Sequence, residues 1–335
     1  MIGIPTFDDI LAARERIVGE AVRTPLLRSP YLSERLEARV FVKPECLQRT
    51  GSFKFRGAWN AVKALGSSAR ARGVVAVSSG NHAQGVAEAA RLIGAGATIV
   101  MPADAPAPKR RRTERSGARV VAYDRATEDR DAVVARVKEE VGGAFIHPFN
   151  DPLVIAGQGT VGLEIAEDCA ALGIEPEIVV VPCSGGGLSA GLCLAVTERF
   201  PKAAVYTAEP EDFDDYARSL KSGERQRNRR QSGSICDALL VEQPGEIGWG
   251  INRTRLAGGL VASDAEALFA VGLCFDELRL VVEPGGAVGL AALLAGRLEA
   301  QGRTVVVVLS GGNIGDELLA EGLRAYRSAE GSRSL

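Results

Sequence analysis

The stretch Val74-Val75-Ala76-Val77-Ser78-Ser79-Gly80-Asn81-His82 joins a short apolar run to a polar loop and then to the start of a helical pattern. A run of consecutive apolar residues is typical of a strand that is buried on both faces of a parallel sheet. The same order continues downstream, with strands predicted at 98–101, 120–122 and 144–146 and helices at 82–93, 109–116 and 129–141. This alternation predicts an α/β fold whose sheet is covered on both sides by helices.

The rest of the chain predicts a second and larger α/β unit, because 335 residues exceed the length of one typical domain. Apolar strands are predicted at 40–43, 178–181, 204–207 and 305–309, and helices at about 57–65, 188–199, 265–276 and 289–300. Thr6 is expected to cap a helix at 8–18, and residues 328–335 are expected to form a frayed tail. We therefore expect two doubly wound, three-layer domains with mainly parallel sheets. Residues 1–68 plus 150–335 would form the large domain, and residues 69–149 the small one.

The composition narrows the classes of partner. A net charge of −2 offers no general attraction to nucleic acid or to an anionic membrane, and the chain lacks an apolar run long enough to span a bilayer. The six cysteines form no Cys-x-x-Cys pair, and only two histidines are present, so a zinc site is not expected. The basic run at 109–112 is interpreted as a solvated helix end. These features indicate a cytoplasmic protein that acts on small molecules.

Lys54 lies in the segment Thr50-Gly51-Ser52-Phe53-Lys54-Phe55-Arg56-Gly57-Ala58, between a glycine turn and an apolar helical pattern. A lysine with apolar neighbours on both sides can lose its hydration, which lowers the pKa of its amine. This setting is that of a lysine that forms a Schiff base. A solvated lysine beside a turn is the alternative at this point.

Further candidate sites follow predicted strands. The glycine loop, Cys183-Ser184-Gly185-Gly186-Gly187-Leu188, precedes a helix, and its backbone N–H groups could converge on a phosphate. It matches neither the dinucleotide fingerprint nor the P-loop, which argues against NAD and ATP hydrolysis. Ser78 to His82 could receive a carboxylate at a helix start, and Ser310-Gly311-Gly312-Asn313 ends another strand, where α/β sheets place ligands.

These motifs, together with Gly157-Gln158-Gly159-Thr160, occur in an order that resembles the threonine/serine dehydratase and serine racemase family. Members of that family are pyridoxal-phosphate (PLP) enzymes of the tryptophan-synthase-β-like fold, fold type II. The resemblance extends from about residue 6 to residue 327, and the combination of motifs is specific although each one alone is not. It implies that PLP lies in the cleft between the two domains.

The resemblance also implies roles for individual residues. Lys54 would hold PLP as a Schiff base and Phe53 would pack near the ring, while Asn81 would bind the phenolic oxygen and Ser310 would meet the ring nitrogen. The substrate carboxylate would bind at Ser78, Asn81 and His82, and Ser79 would be a second acid/base. The phosphate would be bound by the backbone N–H groups of Ser184, Gly185, Gly186, Gly187 and Leu188. The family usually has a glycine where this chain has Ser184.

An acidic segment, Glu209-Pro210-Glu211-Asp212-Phe213-Asp214-Asp215, resembles the cation site of the same family. The resemblance implies that Glu209, the backbone carbonyl of Phe213 and Asp215 bind a divalent cation, and hard oxygen ligands suit Mg²⁺ or Ca²⁺. The alternative is an acidic helix start, where Asp and Glu are favoured by the helix dipole.

The neutral hydroxyl of Ser310 would leave the ring nitrogen largely unprotonated, which favours β-elimination over transamination. The expected function is a PLP-dependent ammonia-lyase that converts L-threonine or L-serine to a 2-oxo acid and ammonia. A 3-hydroxyaspartate dehydratase is an alternative, in which Arg136 or an arginine at 225–230 would bind the second carboxylate. Ser79 keeps serine racemase open, and β-replacement and a non-catalytic ligand-binding module remain as rivals. The resemblance implies a homodimer.

Overall fold

The computed structural model describes residues 3–105 and 107–331. Its strands are β1 (Leu27–Arg28), β2 (Arg39–Pro44), β3 (Val74–Val77), β4 (Ala97–Pro102), β5 (Arg119–Tyr123), β6 (Ala144–Phe145), β7 (Ile178–Pro182), β8 (Ala204–Pro210), β9 (Gly258–Ala262) and β10 (Thr304–Leu309). Its α-helices are α1 (Phe7–Ile17), α2 (Pro30–Arg35), α3 (Lys54–Lys63), α4 (Ser67–Arg72), α5 (Asn81–Leu92), α6 (Ala107–Arg115), α7 (Arg130–Val141), α8 (Pro152–Ala171), α9 (Gly187–Arg199), α10 (Asp215–Ser222), α11 (Glu246–Asn252), α12 (Asp264–Leu278), α13 (Pro284–Leu294) and α14 (Asp316–Gly331).

The larger sheet has the strand order β1-β2-β10-β7-β8-β9. All of its pairs are parallel except β1 with β2. The central strand β10 is buried on both faces: Val305, Val307 and Leu309 pack into one core, and Val306 and Val308 pack into another on the opposite face. This alternation requires helices on both sides of the sheet, as predicted.

The smaller sheet is entirely parallel, in the order β5-β4-β3-β6. Val74 and Ala76 of β3 face one core, and Val75 faces the other. The predicted α/β class, with two mainly parallel sheets, is therefore confirmed. The boundaries at 68/69 and 149/150 stay a prediction, and α4 spans the first of them.

Several boundaries differ from the prediction. Lys54 was expected in a loop before a helix at about residue 57, but α3 begins at Lys54 itself. The helix predicted at 289–300 lies at Pro284–Leu294, because Pro284 occupies its first turn, where a missing N–H costs nothing. Strand β9 was not predicted, since Gly258 and Gly259 are poor strand formers.

The chain end also differs from the expectation of a frayed tail after residue 327. Helix α14 continues to Gly331, and residues 332–335 lie outside the described part of the chain. Among the helices that the structure describes, none is long and apolar enough to cross a membrane.

The topology brings the candidate loops to the carboxyl ends of the strands. The turn Ser78 to Gly80 follows β3 and leads into α5, and the glycine loop follows β7 and leads into α9. The segment that carries Lys54 follows β2, and Ser310 follows β10, which is the parallel neighbour of β2. The carboxyl ends of β2, β7 and β10 share one edge of the larger sheet, so the loops that follow them lie together. The turn after β3 belongs to the smaller sheet, and it meets these loops through Asn81, which bonds to Glu283 and Asn313.

Candidate active site

Lys54 is the first residue of α3, and its amine points into the interior of the site. Nζ donates a hydrogen bond to the carbonyl oxygen of Pro148 at 2.9 Å, and it lies 5.2 Å from the centre of the Phe53 ring. Burial lowers the pKa of Lys54 to about 8. A substantial fraction of this amine is therefore neutral near physiological pH, as a nucleophile or base requires.

A buried ionic network fixes the start of α3, two residues after the lysine. Arg56 donates two hydrogen bonds of 2.8 Å to Glu45 and bonds of 2.6 and 2.9 Å to Glu164. Burial alone would raise the pKa of Glu45, but the charge of Arg56 lowers it overall. Lys43 also donates to Glu164, at 2.7 Å, and to the carbonyl of Thr24, at 2.6 Å. Through Arg56, the start of α3 is thus anchored to the segment of Glu45 and to α8.

The glycine loop is closely surrounded by aromatic side chains. A Cβ on Gly185 would lie 2.3 Å from the Phe149 ring, and one on Gly186 would lie 2.0 Å from the Tyr216 hydroxyl oxygen. Gly186 also has a φ of +85°, which disfavours residues with a side chain. No side chain caps α9, which begins at Gly187. Its first N–H groups are therefore available to an anion such as a phosphate.

The segment His147-Pro148-Phe149 connects Lys54 to the glycine loop, since Pro148 accepts the lysine hydrogen bond and Phe149 packs on Gly185. Nδ1 of His147 accepts hydrogen bonds from the backbone N–H groups of Phe149 and Asn150, at 3.3 and 2.9 Å. Burial and the charge of Lys54 lower the pKa of His147 to about 4, so this ring is neutral. Sequence reasoning gave this segment no role, although its position directly after β6 was a usable signal.

The predicted carboxylate receptor lies at the start of α5. Gly80 is the N-cap residue and no side chain caps the helix, while the Ser78 hydroxyl accepts the N–H of Gly80 at 3.1 Å. His82 must donate from Nε2, because its partner at 2.9 Å is the carbonyl of Ile146. Burial and the charge of Lys54 lower the pKa of His82 to about 3. A carboxylate here would therefore meet helix N–H groups rather than an imidazolium.

Ser79 lies in the same turn and is half-buried. In the described part of the chain, its hydroxyl has no hydrogen-bond partner among the other residues. Ser184 is likewise half-buried, whereas Gly185, Gly186, Gly187 and Leu188 are buried.

Asn81 is held between two residues of the other domain. Its Nδ2 donates to Oε1 of Glu283 at 2.5 Å, and its Oδ1 accepts from Nδ2 of Asn313 at 2.7 Å. Burial raises the pKa of Glu283 to about 7. Neither Glu283 nor the amide of Asn313 was assigned a role from the sequence. Their proximity depends on the pairing of distant segments, which no local pattern reveals.

Ser310 lies beside Lys54 through a short backbone contact. Its carbonyl accepts the N–H of Phe53 at 3.1 Å, and the next residue, Gly311, forms a bridge with Ser52. A Cβ on Gly311 would lie 3.2 Å from Nδ2 of Asn81. Ser310 therefore neighbours Phe53 and Lys54, and Asn81 lies beside Gly311. The roles of these residues in cofactor binding stay a prediction.

Helix α6 reaches across the cleft to the large domain. Lys109 forms an ion pair with Asp237, and Arg112 donates to Oδ1 of Asn313. Lys109 is only 8% exposed. The interpretation of residues 109–112 as a solvated helix end was therefore wrong for Lys109, whereas Arg112 is exposed and still has a partner in the large domain.

The predicted cation ligands are buried together behind the glycine loop. Glu209 accepts backbone hydrogen bonds from Tyr216 at 3.0 Å and Ala217 at 2.8 Å, and Oδ1 of Asp215 accepts from Asn228 at 2.6 Å. Oδ2 of Asp215 has no partner among the described residues. Burial raises the pKa of Asp215 to about 7, and burial together with the charge of Asp215 raises that of Glu209 well above its usual value.

Two buried carboxyl groups with raised pKa values would be stabilised by a cation. Phe213 is also buried, so a contribution from it would come from its backbone carbonyl. Over residues 3–105 and 107–331, no group of three or more His, Cys, Asp or Glu side chains could hold a metal ion. The predicted ligand set contains only two such side chains, Glu209 and Asp215, and its third ligand is a backbone carbonyl. The absence of a group of three side chains from the described residues therefore does not contradict it.

The arginines considered for a second substrate carboxylate lie on the surface. Arg136 is exposed on α7. In the 225–230 loop, arginines 225, 227 and 230 form surface ion pairs with Glu246, Glu242 and Asp212 respectively. Arg225 also donates to the carbonyl of Pro244, next to Gly245, whose N–H donates to the carbonyl of Gly185 in the glycine loop. A role of these arginines in substrate binding stays a prediction.

These residues fit PLP. A lysine amine with a lowered pKa can bond to its aldehyde carbon, and the glycine loop with the uncapped start of α9 suits its phosphate. The buried Ser310 provides a neutral side chain within the same group of neighbours. The donors that the site offers therefore match both ends of this cofactor.

Comparison with known proteins agrees with this fit. The model of a family described as "Pyridoxal-phosphate dependent enzyme" matches residues 18–311. A β-hydroxyaspartate dehydratase from Paracoccus denitrificans is 40% identical over 311 residues, 93% of this chain and 97% of that protein. The crystal structure of a T.th. threonine deaminase is 43% identical, with a TM-score of 0.87 over 93% of this chain and 99% of its own. Maize serine racemase is 35% identical, with a TM-score of 0.89 over 99% of this chain and 100% of its own. The chain therefore belongs to the family of pyridoxal-phosphate-dependent enzymes.

Proposed function

We propose that the protein is a PLP-dependent dehydratase, an ammonia-lyase that converts a β-hydroxy-α-amino acid to a 2-oxo acid and ammonia. L-Threonine and L-serine are the proposed substrates. The observation that carries the proposal is the position of Lys54, whose amine has a pKa of about 8. It lies between a glycine loop suited to phosphate and the uncapped start of α5, which is suited to a carboxylate.

Each part of the cofactor has a proposed partner in this chain. Lys54 would hold it covalently through Nζ, Phe53 would pack on its ring, Asn81 would donate to its phenolic oxygen and Ser310 would face its ring nitrogen. The phosphate would be bound by backbone N–H groups of residues 184–188. Bound PLP makes the α-hydrogen of an attached amino acid acidic, because it accepts the electron pair that is left behind.

The side chains of this protein would manage the substrate and its protons. The N–H groups at the start of α5, with Ser78, Asn81 and His82, orient the substrate carboxylate. Once the substrate amine has replaced Nζ of Lys54 on the cofactor, the freed Nζ would remove the proton from Cα as a general base. The pKa of this amine, lowered to about 8 by burial, suits that role. The β-hydroxyl group then leaves, taking up a proton to form water. The unsaturated amino acid that is released hydrolyses to the 2-oxo acid and ammonia.

The test is an assay of oxo-acid release from L-serine, L-threonine and the stereoisomers of 3-hydroxyaspartate. The purified enzyme should be yellow, and borohydride should bleach it while fixing the cofactor to Lys54. Lys54→Ala should abolish oxo-acid release. A colourless protein that takes up no PLP, or a fully active Lys54→Ala variant, would contradict the proposal.

A 3-hydroxyaspartate dehydratase is the second candidate, and the similarity to the β-hydroxyaspartate dehydratase from Paracoccus denitrificans favours it. A second carboxylate on the substrate Cβ would need a guanidinium within reach. Arg130, at the start of α7, is about half exposed and pairs with the neighbouring Asp131, so it is a further arginine to test. Arg130→Gln should then reduce activity on 3-hydroxyaspartate at least tenfold more than activity on L-threonine, since one charged hydrogen bond is worth about that ratio. Equal losses would count against it.

Serine racemization is a further candidate, because Ser79 could donate a proton to the face of Cα opposite Lys54. Exchange of enantiomers and release of oxo acid should be measured in the same L-serine sample. If exchange is the faster process, the lyase assignment fails. In that case Ser79→Ala should suppress exchange while elimination persists.

Two other rivals are separated by simple assays. A β-replacement enzyme would consume a thiol together with the amino acid and release little oxo acid. A non-catalytic ligand-binding module would bind amino acid without turnover. Both rivals therefore predict little or no release of oxo acid, whereas the proposed lyase releases it.

A divalent cation, Mg²⁺ or Ca²⁺, is proposed at Glu209, the carbonyl of Phe213 and Asp215. The support is chemical, since two buried carboxyl groups lie together and one oxygen of Asp215 has no partner among the described residues. Tyr216 connects this pair to the glycine loop, because its N–H donates to Glu209 and its hydroxyl group lies against Gly186. A cation here would therefore support the loop from behind.

A homodimer is also proposed. Val22, Leu47 and Val281 are exposed by 44, 48 and 43%. Their backbones lie in neighbouring segments: the N–H of Val22 donates to Gln48, next to Leu47, and a Cβ on Gly312 would lie 2.3 Å from the carbonyl oxygen of Val281 and 3.0 Å from Cβ of Cys46. Such a patch suits contact with a second copy, and light scattering after gel filtration tests it. All six cysteines are free, which supports the proposed cytoplasmic location.

A further inference from the structure

Gln158, in the middle of α8, carries a side-chain amide that the protein itself does not satisfy. The residue is 0% exposed, and neither Oε1 nor Nε2 has a hydrogen-bond partner among the described residues. Burial of an amide without partners costs free energy, so buried amides in proteins are normally hydrogen-bonded. The sequence placed Gln158 in a motif but gave it no function.

The side chain runs from the helix that carries Lys54 to the helix that begins at the glycine loop. A Cβ on Gly57 of α3 would lie 3.0 Å from Cγ of Gln158, and one on Gly187 of α9 would lie 2.9 Å from its Oε1. The absence of both Cβ atoms thus leaves room for this side chain. The amide ends at the first residue of α9, where helix N–H groups are uncapped.

We propose that the side-chain amide of Gln158 donates a hydrogen bond to the phosphate group of the bound cofactor and so completes the phosphate site. The inference rests on the proposed cofactor site and adds a side-chain donor to its backbone N–H groups. The ligand class is a phosphate monoester dianion, which accepts hydrogen bonds from neutral donors in a dry site. The O and N atoms of an amide exchange places by a rotation that leaves the shape of the side chain unchanged. Either orientation of Gln158 therefore presents one amide atom to Gly187.

Thr160, on the same helix, is a buried polar residue whose hydrogen bonds are all made within the protein. Its hydroxyl donates to the carbonyl of Gly157 at 2.6 Å and accepts from Arg56 at 3.2 Å. The protein therefore satisfies Thr160 and leaves Gln158 unsatisfied. The two residues form a matched pair for an experiment.

The two possible roles of Gln158 predict opposite effects on the cofactor-free protein. If the amide serves the phosphate, Gln158→Leu removes an unsatisfied group, and the melting temperature of the cofactor-free form should stay the same or rise. If the amide instead has a structural role and is hydrogen-bonded to buried water, Gln158→Leu should lower the melting temperature of the cofactor-free form. The affinity for the cofactor adds an independent measurement.

The experiment measures dissociation constants of PLP and of pyridoxal, which lacks the phosphate, for the wild type and for Gln158→Leu. PLP should bind about tenfold to a hundredfold more weakly to the variant, whereas pyridoxal affinity should change less than about twofold. Gln158→Glu should weaken PLP binding further by charge repulsion. The ³¹P resonance of bound PLP should shift in both variants.

Thr160→Val is the control, and it should lower the melting temperature without changing the ratio of PLP to pyridoxal affinity. The inference is overturned if Gln158→Leu weakens both ligands equally, leaves PLP affinity unchanged, or destabilises the cofactor-free protein. Failure of the wild type to bind PLP would instead contradict the proposed function, so the two failures are distinguishable.

Discussion

Arg112 on α6 donates a hydrogen bond to the side-chain oxygen of Asn313, 201 residues further along the chain. Asn313 extends this connection, since its Nδ2 donates to Oδ1 of Asn81 and to the carbonyl of Thr50. The small domain is therefore tied to the loop after β10, and the tie reaches a residue proposed to bind the cofactor.

Arg112→Ala should raise the KM for the amino acid about threefold to tenfold, because a partly exposed charged hydrogen bond is worth about 1 kcal/mol. The contact joins the two domains, and Arg112 is not among the residues proposed to bind cofactor or substrate, so kcat should change less. Steady-state kinetics measure this effect. Arg110→Ala is the control, since Arg110 pairs with Glu114 on its own helix. Equal KM values in the two variants would show that the contact has no role in closure.

Lys54 should make the stability of the cofactor-free protein depend on pH. Its folded pKa of about 8 lies below the ordinary 10.5, so the charged amine destabilises the fold by up to about 3 kcal/mol below pH 8. That penalty disappears as the pH rises from 8 toward 10.5, where the folded protein loses the proton first. Lys54→Met should therefore be the more stable protein at pH 7.

The difference in free energy of unfolding between Lys54→Met and the wild type should be smaller at pH 10 than at pH 7. Urea unfolding of the cofactor-free proteins at a series of pH values measures it. A difference that stays constant between pH 7 and pH 10 would mean that the amine is not desolvated. Lys63→Met is the control, because Lys63 lies at the far end of α3, over the Trp59 ring.

Arg56→Ala should destabilise the protein by about 3–5 kcal/mol, since it leaves buried carboxylates without their main partner. Arg56→Lys should recover only part of the loss, because an ammonium cannot replace the paired hydrogen bonds to Glu45 and Glu164. Urea unfolding measures both variants. The lowered pKa of Glu45 stabilises the fold above pH 4.5, and this stabilisation is lost as the pH falls further. The difference in free energy of unfolding between the wild type and Arg56→Ala should therefore become smaller in acid.

Added Mg²⁺ or Ca²⁺ should raise the melting temperature of the wild type and have no effect on Asp215→Asn. The effect should be larger at pH 8 than at pH 6, because burial raises the pKa of Asp215 to about 7 and protons compete with the cation below that value. Asp212→Asn, which removes a charge from an exposed ion pair with Arg230, is the control. Cation stabilisation that persists in Asp215→Asn would place the ion elsewhere.

The sequence was sufficient for the parts of the fold that rest on local pattern. Continuous apolar strands such as β3 and β10 predicted buried parallel sheets, and the loops after β2 and β10 lie at one edge of the larger sheet. The proximity of Lys54 and Ser310 follows from this rule. The position of Asn81 does not, because it follows β3 of the other sheet. Thr6 was also recognised as a helix cap, and it forms a capping box with Asp9.

What the sequence could not supply is the pairing of distant side chains. Nothing local distinguishes Glu283 from other acidic residues before a proline, yet it bonds to Asn81. The basic run at 109–112 has the composition of a solvated surface, and only the closed cleft reveals that Lys109 and Arg112 have partners in the other domain. Such contacts depend on how two sheets face each other, which the periodicity within each sheet does not determine.

The anchoring of α3 has a consequence for the smallest fragment that can work. The carbonyl of Val22 accepts from Arg56, and the carbonyl and hydroxyl of Thr24 bond to Lys43 and Glu45. A shortened chain that starts at residue 26 would keep every residue proposed to bind cofactor or substrate. It would nevertheless leave a buried lysine and arginine short of acceptors and loosen the helix that begins at Lys54. The amino-terminal arm is thus an integral part of the catalytic unit, and minimised versions of this enzyme should retain it.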